Sequence, residues 1–294
     1  MELGFRPGDG QMTPSVSVVI TNHNYCHFVG AAIDSGLAQS YEPLEVIVVD
    51  NGSTDASLEL LDSFGDRIRS IQQPNLGQAG GRNRGILEAD GELIALLDAD
   101  DTWQPDKLSR QVRLFDRDEV GIVYAGVTEC GHDLEPRADI HPRHRGDCRS
   151  AFVDYPGEAI VLGGESTAVI RRACFAAVGL FDPTLSNATG WDMYRRIASK
   201  YEFDYVDSPL ANYRQHGMNR HLQTDTYYEE LERAYRRLFD DPDWRSFARR
   251  RSVVMSAIGI MRSKDLMRSG RPIASAASAV RAGLRRLRVP VPAG

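Results

Sequence analysis

The chain has 294 residues, with 35 Lys and Arg against 41 Asp and Glu, and a formal net charge of −6. A hydrophobic fraction of 42% and a charged fraction of 26% are typical of a globular chain that buries most of its apolar surface. This composition excludes global disorder, collagen and a disulfide-rich miniprotein. No stretch approaches the roughly 20 apolar residues that a membrane-spanning helix needs.

The cysteines are scattered, at positions 26, 130, 148 and 174, and no two of them form a CxxC pair. In a chain of this length such cysteines indicate reduced thiols rather than a zinc site or a redox pair. The polar N-terminus lacks the apolar stretch of a signal peptide. We therefore expect a cytoplasmic protein.

The first half of the chain alternates between short apolar strands and amphipathic helices. Strands are predicted at 15–21, 44–49, 68–72 and 92–97, and helices at 28–37, from Thr54, at 77–89 and at 105–115. Such alternation predicts βαβ units and a mostly parallel sheet. Ligands of such sheets bind beyond the carboxyl ends of the strands, where Asp50 and Asp98 lie.

The second half has a weaker pattern. Strands are predicted at 121–126, 166–170 and 203–206, helices at 172–178 and 191–200, and an irregular segment at 128–156. From residue 224 to about residue 287 the pattern is helical, with no further buried strand.

The C-terminal part is strongly basic. Residues 245–288 contain twelve basic residues and one acid, a local charge of +11, so the rest of the chain carries −17. A solvated helix surface is the simplest interpretation. Peripheral contact with the anionic inner face of a membrane, or with an acidic acceptor, is a second hypothesis. Nucleic-acid binding is not expected, because no recognised motif accompanies the charge.

The acidic turn at 98–101 carries the strongest chemical signal. Asp98 and Asp100 are two residues apart, so both carboxylates project on the same side of an extended chain. Mg²⁺ and Mn²⁺ prefer carboxylate oxygens, waters and substrate phosphates. The alternative is an acidic turn that caps the helix beginning near Pro105. Asp50 could bind a base or ribose, whereas residues 51–54 are typical of a tight turn.

Seven segments together resemble the family-2 glycosyltransferases of the GT-A fold. They read VSVVITNHN (16–24), LEVIVVDNGSTD (44–55), NLGQAGGRNRGI (75–86), GELIALLDADDTWQPDKL (91–108), VGLFDPTL (178–185), WDMYRRIA (191–198) and PLANYRQH (209–216). The resemblance implies an α/β fold in which a mostly parallel, Rossmann-like central sheet is flanked by helices, with a C-terminal helical extension. It implies four parts: a tail at 1–14, a nucleotide-sugar half at 15–126, an acceptor half at 127–224 and the basic extension at 225–294.

The resemblance also implies a reaction: inverting transfer of a sugar from a nucleotide-diphosphate sugar, UDP being favoured, to a glycan, lipid-linked or small-molecule acceptor. Nucleotide-binding roles fall on Thr21, Asn22, Asn24, Asp50, Arg82 and Asp98. A Mg²⁺ or Mn²⁺ ion is expected at Asp98 and Asp100, with Asp100 as the direct ligand. His216 could approach the diphosphate or the metal, and a structural histidine is the alternative. A homo-oligomer is left open.

One departure from the family concerns the catalytic base. The family's base is usually the Asp of a Glu-Asp pair before Trp-Asp, and this chain has Thr189-Gly190 there. Asp192 is the first hypothesis for the base and Glu165 the second, while Trp191 could stack on an acceptor sugar or pack in the core. The alternative function is a non-catalytic nucleotide-sugar or glycan-binding relative that has lost its base.

Overall fold

A computed structural model of the chain describes residues 13–216 and 224–268. Its strands are β1 (Val16–Asn22), β2 (Leu44–Asn51), β3 (Arg69–Gln73), β4 (Leu93–Asp98), β5 (Thr102–Trp103), β6 (Val120–Cys130), β7 (Pro136–Ile140), β8 (Val169–Arg171) and β9 (Glu202–Arg214). Its α-helices are α1 (Cys26–Leu37), α2 (Ser57–Ser63), α3 (Gly77–Glu88), α4 (Lys107–Gln111), α5 (Arg149–Asp154), α6 (Arg172–Val178), α7 (Thr189–Ala198), α8 (Thr224–Asp240) and α9 (Arg251–Arg268). The 3₁₀ turns are Gly65–Arg67, Val112–Phe115, Gly164–Thr167 and Pro242–Arg250.

The described strands form one sheet in the order β3-β2-β1-β4-β8-β6-β9-β5, with β7 paired to β6. The first four strands are parallel, as the βαβ pattern predicts. Beyond them β8 is antiparallel to both β4 and β6, and β6 and β9 are again parallel. The sheet is therefore mixed, with the parallel part concentrated in the N-terminal half.

Both faces of β1, β2 and β4 are largely buried, which explains their continuous apolar sequences, whereas β3 at the edge of the sheet is mostly exposed. On β1, Val19 faces one hydrophobic cluster while Val18 and Ile20 face the other. Helices α1, α2 and α4 cover the second cluster. Helices α3 and α5–α9 cover the first, so the C-terminal helices belong to the main core.

Within 128–156 the prediction of irregular structure is wrong in part. The segment contains the end of β6, strand β7 and helix α5. Strand β7 is exposed along most of its length and α5 has only six residues, so neither produces a clear hydrophobic period. The predicted boundary at 126 lies inside β6, which places both halves on one sheet.

The described part of the C-terminal extension is anchored by aromatic packing and ion pairs. Trp244 is fully buried, and the Tyr235 hydroxyl donates to the Phe152 carbonyl at 2.7 Å. In the described part of the basic stretch 245–288, Arg250 pairs with Asp154, Arg251 with Asp240 and Arg262 with Glu229. The rest of the basic stretch, from residue 269, lies outside the described residues, so membrane docking stays a prediction. None of the helices within 13–216 and 224–268 is long and apolar enough to cross a bilayer.

Candidate active site

Polar residues meet where three neighbouring parallel strands end. In the sheet register Asn22 of β1 lies opposite Asp50 of β2, and Thr21 lies opposite Asp98 of β4. Side chains from three separate motifs therefore come together at the carboxyl edge of the sheet, as predicted from their positions at strand ends.

A hydrogen-bond network fixes the first two loops. Asn22 Nδ2 donates to Asp50 Oδ1 at 3.0 Å and to Ser53 Oγ at 3.1 Å, and the Ser53 N–H donates to Asp50 Oδ2 at 3.0 Å. Asn24, at a φ of 57°, accepts from the Thr54 N–H at 2.7 Å. Ser53, for which the sequence predicts only a role in a tight turn, links the two loops.

Helix α3 packs close to β1 because its residues facing that strand, Gly81 and Gly85, have no side chains. A β-carbon at Gly81 would lie 2.2 Å from Thr21 Cγ2, and one at Gly85 would lie 2.2 Å from Val19 Cγ1. This close approach carries Arg82 into the site. The Thr21 hydroxyl is buried and has no hydrogen-bond partner among the described residues, which is uncommon for a buried polar group.

Arg82 is the central cation of the site and is only 2% exposed. Its Nη2 lies 2.6 Å from Asp98 Oδ1, and its Nη1 lies 2.6 Å from Glu165 Oε1. Burial acts to lower the pKa of Arg82, but the charges of Asp98 and Glu165 outweigh it and raise that pKa. The guanidinium therefore stays charged and joins Asp98 at the end of β4 to Glu165 in the turn Gly164–Thr167; the region between these two elements is called the cleft below.

Asp100, the second acid of the turn, contacts His216, the last described residue before position 224. Its Oδ2 lies 2.9 Å from His216 Nε2, and the His216 ring stacks on Phe28 with centroids 4.9 Å apart. Burial and then the charge of Asp98 raise the pKa of Asp100, while His216 acts against them. Two buried carboxylates close together repel each other, and a bound cation would offset that repulsion.

Asp101 and Ser166 form a brace that no sequence motif predicts. Ser166 Oγ donates to Asp101 Oδ2 at 2.5 Å and accepts from the Asp98 N–H at 3.1 Å. The Trp103 indole N–H donates to the Ser166 carbonyl at 2.6 Å, and the Arg214 N–H donates to Asp101. The brace fixes the 3₁₀ turn Gly164–Thr167 against the acidic turn. No motif marks Ser166, because its partners are distant in sequence.

The structure places the two base candidates differently. Glu165 lies in the site, where it contacts Arg82, and its side chain is 9% exposed. Asp192 is 2% exposed and its carboxylate is occupied by Arg195 at 2.8 Å and Arg196 at 2.9 Å. The ion pairs of Asp192 lie within α7, and its role as the base stays a prediction.

Trp191 lies among aromatic rings of the core. Its ring is 4.3 Å from that of Tyr235 and 5.5 Å from that of Phe152, measured between centroids. Acceptor stacking by Trp191 stays a prediction, and the observed geometry is the core packing that was its alternative.

Among residues 13–216 and 224–268 no group of three or more His, Cys, Asp and Glu side chains is arranged as a metal site. Asp98, Asp100 and His216 nevertheless supply two carboxylates and an imidazole at one edge of the cleft. Mg²⁺ is commonly held by one or two carboxylates together with substrate phosphates and waters, so a donor set this small fits such an ion.

Residues 17–175 match the family described as Glycosyl transferase family 2, which is more than half of the chain. The chain is 34% identical over 226 residues to an uncharacterized glycosyltransferase of Nostoc sp., covering 74% of this chain and 70% of that protein. It is 30% identical over 199 residues to one from Rickettsia typhi, covering 66% and 62%. The chain belongs to glycosyltransferase family 2 and is a glycosyltransferase, as the resemblance implied.

Two solved structures share the fold. One is S. aureus TarS 1–349 in complex with UDP-GlcNAc, with a TM-score of 0.64, 13% identity, and coverage of 91% of this chain and 89% of that one. The other is the mannosyltransferase PcManGT of Pyrobaculum calidifontis in complex with GDP-Man and Mn²⁺, with a TM-score of 0.62, 18% identity, and coverage of 95% and 79%. These similarities confirm the GT-A fold with its C-terminal helical part.

Proposed function

We propose that the protein transfers a sugar from a nucleotide-diphosphate sugar to an acceptor hydroxyl, with inversion at the anomeric carbon and assistance from a divalent cation. The observation that carries this proposal is the convergence of Asp98, Asp100, Arg82 and His216 at the edge of the sheet that also carries Asp50. Few reactions need a nucleoside pocket, paired carboxylates and a buried arginine in one cleft.

The nucleoside lies, in this proposal, in the cleft between the loops after β1 and β2. Asp50 is only 2% exposed and is already oriented by Asn22 and Ser53, so base or ribose groups meet a fixed acceptor. The unpartnered Thr21 hydroxyl supplies a further polar contact. Such preorganisation lowers the entropic cost of binding.

The diphosphate lies, in this proposal, between Arg82 and the acidic turn. Asp98 and Asp100, with His216, would hold a Mg²⁺ or Mn²⁺ ion, which when bound supplies positive charge beside the leaving diphosphate. Arg82 supplies a second cation there, and a guanidinium suits phosphate because its donors form a planar fork. Asp98, now paired with Arg82, would exchange part of that contact when the donor enters.

The relatives support a nucleotide-sugar donor without fixing its base, since TarS is seen with UDP-GlcNAc and PcManGT with GDP-Man. We expect UDP, and GDP is the main alternative. Gly190, which stands where the family usually has its base, favours a second candidate function: a nucleotide-sugar or glycan-binding protein without transferase activity.

A thermal-shift screen tests the proposal. We expect UDP or GDP to raise the melting temperature with Mn²⁺ and much less without it, because a ligand that binds only the native state stabilises it by mass action. Asp100→Asn should remove the Mn²⁺-dependent part. Turnover of the donor then separates the two candidates, since only a transferase forms product, and an NMR spectrum recorded before the sugar mutarotates shows whether the anomeric configuration is inverted. Absence of any metal-dependent shift would contradict the proposed site.

A further inference from the structure

Glu165 is the one carboxylate of the described cleft that the donor-side proposal leaves without a task. The brace through Ser166 fixes its 3₁₀ turn against the acidic turn. Arg82 holds its Oε1 at 2.6 Å, and the same guanidinium holds Asp98. The Arg82 guanidinium therefore lies between Glu165 and Asp98, the first acid of the proposed diphosphate site.

Gly190, in the first turn of α7, faces Glu165 directly. A β-carbon at position 190 would lie 2.5 Å from Glu165 Oε1 and 3.1 Å from Glu165 Cδ. These distances are too short for any side chain at 190 while Glu165 keeps its present rotamer. The carboxylate of Glu165 thus occupies the space where a side chain at 190 would begin.

Asp192 cannot fill that space. It is two residues beyond Gly190, and at 3.6 residues per turn this places it about 200° around the helix axis. Its carboxylate accordingly faces Arg195 and Arg196 on the other side of α7.

We propose that Glu165 is the general base of the transfer, and that Gly190 is glycine because it leaves room for this carboxylate. The inference rests on the proposed function and names the residue that completes it. In this proposal the base comes from the turn before β8 rather than from α7, and it lies in the same cleft.

The step balances without any further reagent. The acceptor oxygen forms a bond to the anomeric carbon while the bond from that carbon to the diphosphate oxygen breaks. The diphosphate leaves with the electron pair, and the acceptor proton passes to Glu165. Arg82 binds the carboxylate at Oε1, and a carboxylate bound at one oxygen can accept a proton at the other.

The surroundings of Glu165 suit this task. Burial raises the pKa of Glu165, Arg82 acts in the opposite direction, and the charge of Asp98 raises it further, so the net shift is upward. A carboxylate with a raised pKa is a stronger base, and Arg82 keeps it oriented.

The test uses UDP-GlcNAc and GDP-mannose with Mn²⁺, water as the acceptor, and the rate of UDP or GDP release as the readout. Glu165→Gln keeps an oxygen for Arg82 and removes the base, so we expect release to slow by about 100-fold or more. Calorimetry should show a Kd for UDP or GDP within about threefold of the wild-type value, because Glu165 is not proposed to contact the nucleotide. Glu158→Gln, the same change at an exposed residue seven positions earlier, is the matched control and should leave both unchanged.

A reciprocal exchange tests the shared space. Glu165→Gly combined with Gly190→Asp returns a carboxylate to the cleft from the α7 side, and we expect it to recover at least about a tenth of the wild-type rate, well above Glu165→Gln.

Three outcomes would overturn the inference. Release by Glu165→Gln within threefold of the wild type excludes a base at Glu165. Equal losses of release and of nucleotide affinity make Glu165 a positioning residue for Arg82. An exchange variant that binds nucleotide but recovers no activity contradicts the shared space. A wild-type chain that neither binds nor releases nucleotide with Mn²⁺ contradicts the proposed function itself.

Discussion

The two sides of the cleft are built in different ways. On the donor side, Asn22, Asp50 and Asp98 lie at the ends of adjacent parallel strands, and the sheet register alone brings them together. On the opposite side, Glu165 comes from a 3₁₀ turn and Gly190 from a helix that packs against it, and Glu165 is held by a buried ion pair with Arg82 of α3. Backbone topology thus fixes the donor side, whereas the position of Glu165, the proposed base, depends on tertiary packing.

The largest expected effect is on the donor side. Asp100→Asn should reduce nucleotide release by about 1000-fold, because the diphosphate would lose the cation that neutralises it. Its melting temperature without ligand should stay equal or rise, since burial and Asp98 raise the pKa of Asp100 and so disfavour its charge in the folded state. Parallel rate and melting measurements check this. A large loss of stability would mean that Asp100 is structural.

The second effect is on the α7 side. Glu230 of α8 accepts from the N–H groups of Ser186, Asn187 and Ala188 and from the Ser186 hydroxyl, at 2.7–3.0 Å. Helix α7 begins directly after Ala188 and has no side-chain cap of its own, so Glu230 caps it from a distant helix. Glu230→Ala should cost about 2 kcal/mol of unfolding free energy and slow release by about tenfold.

Glu229→Ala is the matched control for that change. Glu229 is the neighbouring residue, is 66% exposed on its side chain, and pairs with Arg262 at 3.0 Å. Exposed pairs contribute little, so we expect a loss below about 1 kcal/mol in urea unfolding and no change in release rate. Equal effects of the two substitutions would mean that α8 does not set the position of α7.

A third change acts at the contact between α7 and the turn. Gly190→Ala places a methyl group 2.5 Å from Glu165 Oε1, and the flexible end of Glu165 can move away from it. We expect release to slow by about tenfold while stability changes by less than about 1.5 kcal/mol, because a displaced side chain costs less than a displaced backbone. Chemical unfolding and release rates check both parts. Unchanged release would show that the position of Glu165 does not matter.

The smallest effect is a pH dependence on the donor side. Burial opposes ionisation of Asp55, but hydrogen bonds from Ser57 and Cys26 outweigh it and lower the pKa of Asp55 to about 2. Its stabilising contribution is therefore present above about pH 4, the unfolded pKa, and is lost as the pH falls towards 2. The melting temperature of Asp55→Asn should be below that of the wild type at pH 7, and the difference should shrink on acidification. A constant difference would contradict this.

The sequence predicts the donor side well because its information is local. Asp50 and Asp98 follow apolar strands, and parallel strands place their carboxyl ends at one edge. The arrangement on the Glu165 side cannot be predicted in this way, because its contacts join residues that are far apart in sequence. The Ser166 brace joins residues 65 apart in sequence, and the Arg82–Glu165 pair joins residues 83 apart. Asp192 is an example. Its place in a motif predicts the helix on which it lies, but not that its carboxylate pairs with Arg195 and Arg196.

An anomalous-difference map from crystals grown with Mn²⁺ and UDP, or with Mn²⁺ and GDP, tests the central claim most directly. We expect a single Mn²⁺ peak beside Asp100, with the diphosphate next to Arg82 and the nucleoside against Asp50. The carboxylate of Glu165 should then face the open end of the diphosphate, where the sugar would lie. Mn²⁺ and nucleotide bound elsewhere, or a nucleotide bound there without metal contact to Asp98 or Asp100, would contradict it.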